Sequence, residues 1–389
     1  MHDNINKQSI ILFICHESSR TGAPISLLTL MEWLIREKNL SCRVIINKGG
    51  ELSGSFSRMA PTLIINATMP EFFLTRFFLK MLRRLTLKKR IRKFIPVAPG
   101  LIYSNTTANG HLSAILKKMF HAPVITNVRE LNSIISTLGQ DNLHSLIETT
   151  DHYIAVSRAA MENLVTSYDV PSRRISVIYG AIKPPEEAAV PKEKMLNQLK
   201  LPRGHMIVGA AGMVDRIKGY DLFIDTADYV HNTRKAGNIL FLWIGRFGRG
   251  KEKLVRERIR SLGLESSVYF LGESSDPYSI FNVFDIYYLS SREDTFPRAM
   301  LECGYLGIPT ICFAGSGGCT EFVTEDCGIL ISNFDTRAAG TAMIELSFDS
   351  NKIKRLGLNA GKKATGNFMI DIQGENYYRV INEVMNREG

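Results

Sequence analysis

Short apolar runs alternate with longer amphipathic stretches along most of this chain, and that alternation sets the fold class. Residues 10–15, 42–47, 63–66, 101–104, 124–128, 153–156 and 175–178 are rich in Ile, Val, Leu and Tyr, and runs this short predict buried strands. After the first of them, Leu27, Leu28, Leu30, Met31, Leu34 and Ile35 recur at helical spacing and predict a helix over residues 23–37. Strand and helix in repetition is the pattern of parallel βαβ units. The segment Lys183-Pro184-Pro185-Glu186-Glu187 breaks the pattern and reads as a linker. A second alternating set begins near Met206, with strands predicted at 207–211, 286–289 and 308–313. A chain of 389 residues exceeds the usual size of one core, and a hydrophobic share of 45% is enough to pack two. The expectation is an α/β protein of two domains, residues 1–183 and 184 onward.

Candidate chemistry gathers where the strands of the second half end. Ser290-Ser291-Arg292-Glu293-Asp294-Thr295-Phe296-Pro297-Arg298-Ala299-Met300-Leu301-Glu302 follows a predicted strand, and Pro297 suits the first position of a helix over 298–306. Glu293 and Asp294 then sit on the loop, and Glu302 is expected to face out of the helix start. At the carboxyl edge of an open α/β sheet such acids can take the hydroxyls of a sugar or ribose; the alternative is a solvated loop. After 308–313 comes Ala314-Gly315-Ser316-Gly317-Gly318-Cys319-Thr320-Glu321-Phe322, a glycine loop expected to open a helix, where backbone N–H groups approach an anion. Upstream, Gly212-Met213-Val214-Asp215-Arg216-Ile217-Lys218-Gly219-Tyr220-Asp221 carries two cations toward a helix over 222–230. Such a pair suits a diphosphate, although loop cations are commonly just solvated.

Together and in order these segments resemble the nucleotide-sugar half of the retaining GT-B glycosyltransferases of group 1, the family of glycogen synthase, sucrose synthase and many bacterial polysaccharide and lipopolysaccharide enzymes. Trp243-Ile244-Gly245 and Phe270-Leu271-Gly272 match its strand ends beside the nucleotide, and His16-Glu17-Ser18-Ser19-Arg20-Thr21-Gly22-Ala23-Pro24 its N-terminal glycine loop. Tyr103-Ser104-Asn105-Thr106, Val156-Ser157-Arg158 and Val177-Ile178-Tyr179-Gly180-Ala181-Ile182 also follow the family's order, so the likeness covers nearly the whole chain.

The resemblance implies two Rossmann-like domains whose parallel sheets face a central cleft. Residues 1–183 would hold the acceptor and 184–369 the nucleotide sugar, with the helix of 370–389 crossing back to the first domain. Arg216 and Lys218 would neutralise the diphosphate. Asp294, first acid of the family's acid-x7-acid motif, would contact the donor sugar, with Glu293 beside it. Glu302 would accept the ribose hydroxyls; Gly245, Gly272, Gly317, Gly318 and Glu321 would shape the donor pocket, and Gly22 and Ala23 would close over the diphosphate. No metal and no cofactor is expected beyond a UDP- or GDP-sugar as substrate. The acceptor would be a glycan or a lipid-linked glycan, in cell-surface polysaccharide or lipopolysaccharide synthesis. Departures exist: Met213 replaces an arginine common in the family, so Arg216 must serve instead, and Val128-Arg129-Glu130 stands where many members have a histidine. His16, Arg129 and Glu130 are possible substrate contacts, or ordinary structural residues. A GT-B epimerase or phosphorylase, and an inactive nucleotide-sugar-binding scaffold, share the architecture. A dinucleotide dehydrogenase is disfavoured, since no Gly-x-Gly-x-x-Gly follows the first strand.

Composition adds two points. The six cysteines show no paired Cys-x-x-Cys or zinc spacing, so reduced thiols in the cytoplasm are expected. The run at 10–15 is too short for a signal segment or a membrane span. The net charge of +10 is concentrated in residues 72–95, where nine Lys or Arg and no acid interleave with Phe, Leu and Ile. Such a helix can lie on an anionic membrane, each cation contributing on the order of 1 kcal/mol. The alternative is a core-facing helix with a solvated basic face. Nucleic acid is not indicated, because no nucleic-acid motif accompanies the charge. The expected location is the cytoplasm, peripheral to the inner face of the membrane.

Overall fold

The computed structural model of the chain describes residues 10–66, 86–185 and 187–387. They form two compact units, one of Met1–Ala181 with Ile370–Gly389 and one of Ile182–Met369.

In the first unit the strands are β1 (Ile11–Glu17), β2 (Cys42–Lys48), β3 (Thr62–Asn66), β4 (Leu101–Ser104), β5 (Val124–Val128), β6 (His152–Ala155) and β7 (Ile175–Val177). They pair in parallel in the order β3-β2-β1-β4-β5-β6-β7. β1 is fully buried through its first five residues, as a strand covered on both faces must be. The second sheet contains β8 (Met206–Ala211), β9 (Ile239–Ile244), β10 (Val268–Gly272), β11 (Ile286–Leu289), β12 (Thr310–Phe313) and β13 (Gly328–Ile331) in the order β10-β9-β8-β11-β12-β13, again all parallel. Its centre is aromatic: Phe223 stands edge-on to Phe241 and Trp243, with ring centroids 5.4 and 5.1 Å apart, and lies over Tyr288.

Several details differ from the sequence reading. β12 begins at Thr310 rather than residue 308, because Pro309 has no N–H to give the ladder. The helix expected at 222–230 runs Tyr220–Asp228 and ends in a wider turn at Tyr229–Thr233. β13 was not anticipated, although Gly328-Ile329-Leu330-Ile331 is an apolar run like the others.

The chain leaves the first unit two residues before the expected boundary, because Ile182 is already paired. Its N–H donates to the Phe368 carbonyl at 3.0 Å, and it bridges Met369 in parallel. The final helix, Ile370–Asn386, completes the first unit's core with Ile370, Tyr377, Val380, Ile381 and Val384. Trp33 anchors it: the indole Nε1 donates to Asp371 at 3.2 Å, and the Lys38 ammonium, paired with Glu375 at 2.7 Å, lies over the Trp33 and Tyr378 rings.

Of the basic segment, residues 72–85 lie outside the described residues. Residues 86–94 are helical, with Ile91 and Ile95 buried and Leu87 and Phe94 packed beside them. The apolar face of this part is therefore spent on the core, while Lys88, Lys89, Arg92 and Lys93 are exposed. No described helix is long and apolar enough to cross a membrane. All six cysteines are buried.

Trp33→Ala is expected to cost about 3–5 kcal/mol of the first unit's stability, the usual loss for a buried tryptophan. Denaturant unfolding reads the loss, and hydrogen exchange should show residues 370–386 losing protection first.

Candidate functional site

The second sheet grows from β8 outward through β9 and β10, then reverses and continues from the other side of β8 with β11. Loops leaving the neighbours β8 and β11 therefore diverge, and the gap between them is where ligands bind in sheets of this kind. The loops carry the Lys218 and Asp294 segments, and the backbone draws them together. Gly219 sits at φ +72° against Ser290, whose carbonyl oxygen would lie 2.0 Å from any Cβ added there. Ser290 Oγ donates to the Lys218 carbonyl at 3.1 Å, and Arg292 N to the Ile217 carbonyl at 2.8 Å. The Arg292 guanidinium forks onto the Asp221 carboxylate at 2.6 and 2.8 Å and reaches the Arg216 carbonyl at 2.9 Å. This pairing holds the Asp221 carboxyl below its ordinary range despite partial burial. Lys218 Nζ ends 2.5 Å from Asp294 Oδ2, with Asp294 only 10% exposed.

A third loop closes on the same point. Asp294 N donates to the Ser316 carbonyl at 2.6 Å, and Gly318 N donates back to the Asp294 carbonyl at 3.1 Å, a one-residue parallel bridge to Gly317. The turn that follows is a four-residue 3₁₀ segment, Gly318–Glu321, rather than the helix expected from sequence. Phe322 and Val323 are drawn into the interior directly after it, so no full helix dipole faces the loop. Gly245 and Gly272 are joined by a 2.7 Å hydrogen bond. Gly245, at φ +144°, lies so close to Gly212 that a Cβ would come within 2.0 Å of its carbonyl oxygen.

Glu302 departs most from expectation. Helix Arg298–Tyr305 starts one residue after Pro297, which caps it rather than opening it, and Glu302 points inward at 7% exposure. Arg298 Nε donates to its Oε1 at 2.7 Å. Burial pushes the Glu302 carboxyl up from its ordinary value, and Arg298 pulls it back. Arg216 is exposed, and among the described residues its guanidinium makes no ion pair like the one Lys218 makes; its carbonyl accepts from Gly219 N and from the Arg292 guanidinium. Glu293 and Glu321 are half-buried. The structure thus brings Lys218, Asp294, Gly317 and Gly318 together and sets Arg216 at the surface. Sequence reasoning missed Arg292 and Arg298; the second was readable as an i,i+4 partner of Glu302.

The first unit has the equivalent reversal between β1 and β4. His16, near the end of β1, places Nδ1 3.4 Å from Thr106 Oγ1 and Nε2 3.8 Å from Glu17 Oε1; burial lowers its pKa, opposed by the Glu17 charge. Gly22 opens the helix Gly22–Lys38 in open space, and the Ala23 carbonyl accepts from Asn105 Nδ2 at 2.8 Å. Glu130 is committed to the backbone: its Oε2 accepts from the N–H groups of Arg129 and Thr107 and from Thr107 Oγ1. Its burial raises the carboxyl pKa, opposed in part by those donors and by the neighbouring Arg129 charge. Among the described residues no cluster of His, Cys, Asp and Glu is arranged to hold a metal ion.

Residues 191–363 match the family described as glycosyl transferases group 1, and residues 21–184 match glycosyltransferase family 4. The chain belongs to the group 1 glycosyltransferase family. A D-inositol 3-phosphate glycosyltransferase of Corynebacterium kroppenstedtii is 22% identical over 69% of this chain, the match spanning 64% of that relative, just under two thirds of its length. The capsular polysaccharide biosynthesis glycosyltransferase CapM of Staphylococcus aureus is 20% identical over 90% of this chain and 91% of its own. Among solved structures, Anabaena Alr3699/HepE in complex with UDP-glucose superposes with a TM-score of 0.80 at 19% identity, covering 96% of this chain and 99% of that one. The likeness gives the fold as GT-B, with Rossmann-like α/β units.

Arg292→Ala should release the Lys218 loop without unfolding the unit. The expected loss is about 1–3 kcal/mol for charge-assisted hydrogen bonds. Limited proteolysis should cut within residues 213–219 faster than in wild type while the melting transition stays cooperative.

Proposed function

We propose that the protein is a retaining, metal-independent glycosyltransferase that moves a sugar from a nucleotide-diphosphate sugar to a glycan or lipid-linked acceptor of a cell-surface polysaccharide. The observation that carries this reading is the Lys218–Asp294 pair, 2.5 Å long, at the strand-order reversal of the second unit. Lys218 is the group for the diphosphate, neutralising charge that grows as the sugar–phosphate bond breaks. Asp294 takes hydroxyls of the donor sugar, with Glu293 adjacent, and Glu302 takes the ribose hydroxyls. Gly317 and Gly318, joined to Asp294 through the backbone, set the sugar end, and Gly245 and Gly272 line the nucleotide edge. Arg216, exposed on the same loop, is the second cation for the phosphates. In the first unit Gly22 and Ala23 offer an accessible helix start, and His16 and Arg129 are candidates to touch substrate; Glu130 supports the loop from behind.

Retention fits this layout without a protein nucleophile: the acceptor attacks from the leaving-group side and a phosphate oxygen takes its proton. A UDP- or GDP-sugar is the donor we favour, and the relative crystallised with UDP-glucose supports the first. The exposed cations Lys88, Lys89, Arg92 and Lys93, with those of 72–85, would bring the enzyme to an anionic membrane surface by charge alone, since the apolar face of 86–95 is buried.

Product analysis by NMR in excess EDTA tests the mechanism: the linkage should keep the donor's anomeric configuration, and activity should persist. An inverted linkage, or activity restored only by magnesium or manganese, would overturn it. Lys218→Ala should lower kcat about 10²-fold, and Arg216→Ala less, in steady-state assays of the transfer. Sedimentation with anionic liposomes should be lost, or reduced to the level seen with neutral liposomes, when Lys88, Lys89, Arg92 and Lys93 become Glu.

A further inference from the structure

We propose that Arg298 is a positioning residue that holds the Glu302 carboxylate, as an anion and in one orientation, for the ribose hydroxyls of the donor. The proposal rests on the reading of Glu302 given above and adds to it the residue that keeps that acid usable.

Three observations lead here. Arg298 is the first residue of its helix, where the macrodipole favours acids and opposes a cation. A local preference broken in this way is expected where function requires it. The helix places Arg298 one turn before Glu302, and the two side chains, only 14% and 9% exposed, meet at 2.7 Å. The other titratable groups that face Glu302 are Tyr278 on the helix Pro277–Phe281, Tyr287 on β11 and Cys303 beside it, all uncharged at neutral pH. Arg298 is thus the one cation acting on the buried acid among the described residues.

The consequence follows from charge. A carboxyl this buried tends to hold its proton, and with Arg298 gone only the neutral Tyr278 hydroxyl is left to oppose that tendency. A protonated Glu302 presents one oxygen as a donor and loses the paired acceptor geometry that two adjacent hydroxyls need. Ribose binding by such a variant then improves as pH rises, because alkali removes the proton that Arg298 would have displaced.

The test uses the full chain and isothermal titration at pH 6 and pH 9 with UDP, GDP and ADP, and the 2′,3′-dideoxy counterpart of whichever binds. Arg298→Met should weaken the ribonucleotide about tenfold at pH 6 and recover most of that loss at pH 9. Arg298→Lys, which keeps the charge, should stay near wild type, and Glu302→Gln should show a loss that does not vary with pH. Should the Met variant fail to fold, Arg298→Gln carries the same expectation. A pH-independent affinity in the uncharged variants, or an equal loss for ribo- and dideoxynucleotides, would overturn the positioning role while leaving Glu302 in place. If wild type binds none of the three diphosphates, or does not distinguish ribo from dideoxy, the reading of Glu302 itself fails, and this assignment with it.

Discussion

Two main-chain hydrogen bonds of Asp294, one to the Ser316 carbonyl and one from the Gly318 amide, fix the geometry of the strand ends in the second unit. They tie the loop after β11 to the glycine loop after β12, while Ser290 and Arg292 tie it to the loop after β8. Three separate strand ends thereby become one rigid surface. The backbone of Asp294 is held by those bonds, so the sheet's register passes into the position from which its carboxylate meets Lys218.

Within that frame each acid of the motif is matched to its own cation, Asp294 to Lys218 and Glu302 to Arg298. A carboxylate in so enclosed a place is tolerable only when paired and hydrogen-bonded, because desolvation is costly and the attraction is strong at short range. The pairs differ in what surrounds them. Lys218 is 30% exposed and sits on a loop, so a phosphate can reach it; Arg298 is shut in against its own helix. One cation is available for exchange and the other is not.

The alternation of apolar runs was enough to place all seven strands of the first sheet and β8, β11 and β12 of the second, while β9 and β10 entered only as strand ends matched by the family resemblance. It failed at β13, where a four-residue edge strand follows a loop with no helix between that loop and itself, and at the glycine loop, where the sequence suggested a helix start and the pull of Phe322 and Val323 into the core allowed only one turn. Of the residues named for the donor side, Lys218, Asp294, Gly317 and Gly318 meet, because loops leaving neighbouring parallel strands converge, while Arg216 stays at the surface. Glu302 was placed on the wrong side of its helix. Acids at helix starts are commonly solvated, and only the packing against Tyr278, Tyr287 and Cys303 shows that this one is enclosed. For the described part of the basic segment 72–95, residues 86–95, the apolar face follows the core-facing alternative, because periodicity reveals a face but not what covers it.

The last helix, Ile370–Asn386, supplies core residues to the unit formed by the start of the chain, and Ile182 pairs with Phe368 and Met369 where the polypeptide leaves and returns. On the ribosome this sets an order of events. The middle of the chain, residues 182–369, is synthesised as an uninterrupted piece and can fold as soon as it emerges. The earlier-made first unit must wait with Trp33 uncovered until residues 370–386 appear. The half that begins translation first is therefore the half that finishes folding last, and its apolar face is the one that depends longest on the cell's protection against aggregation.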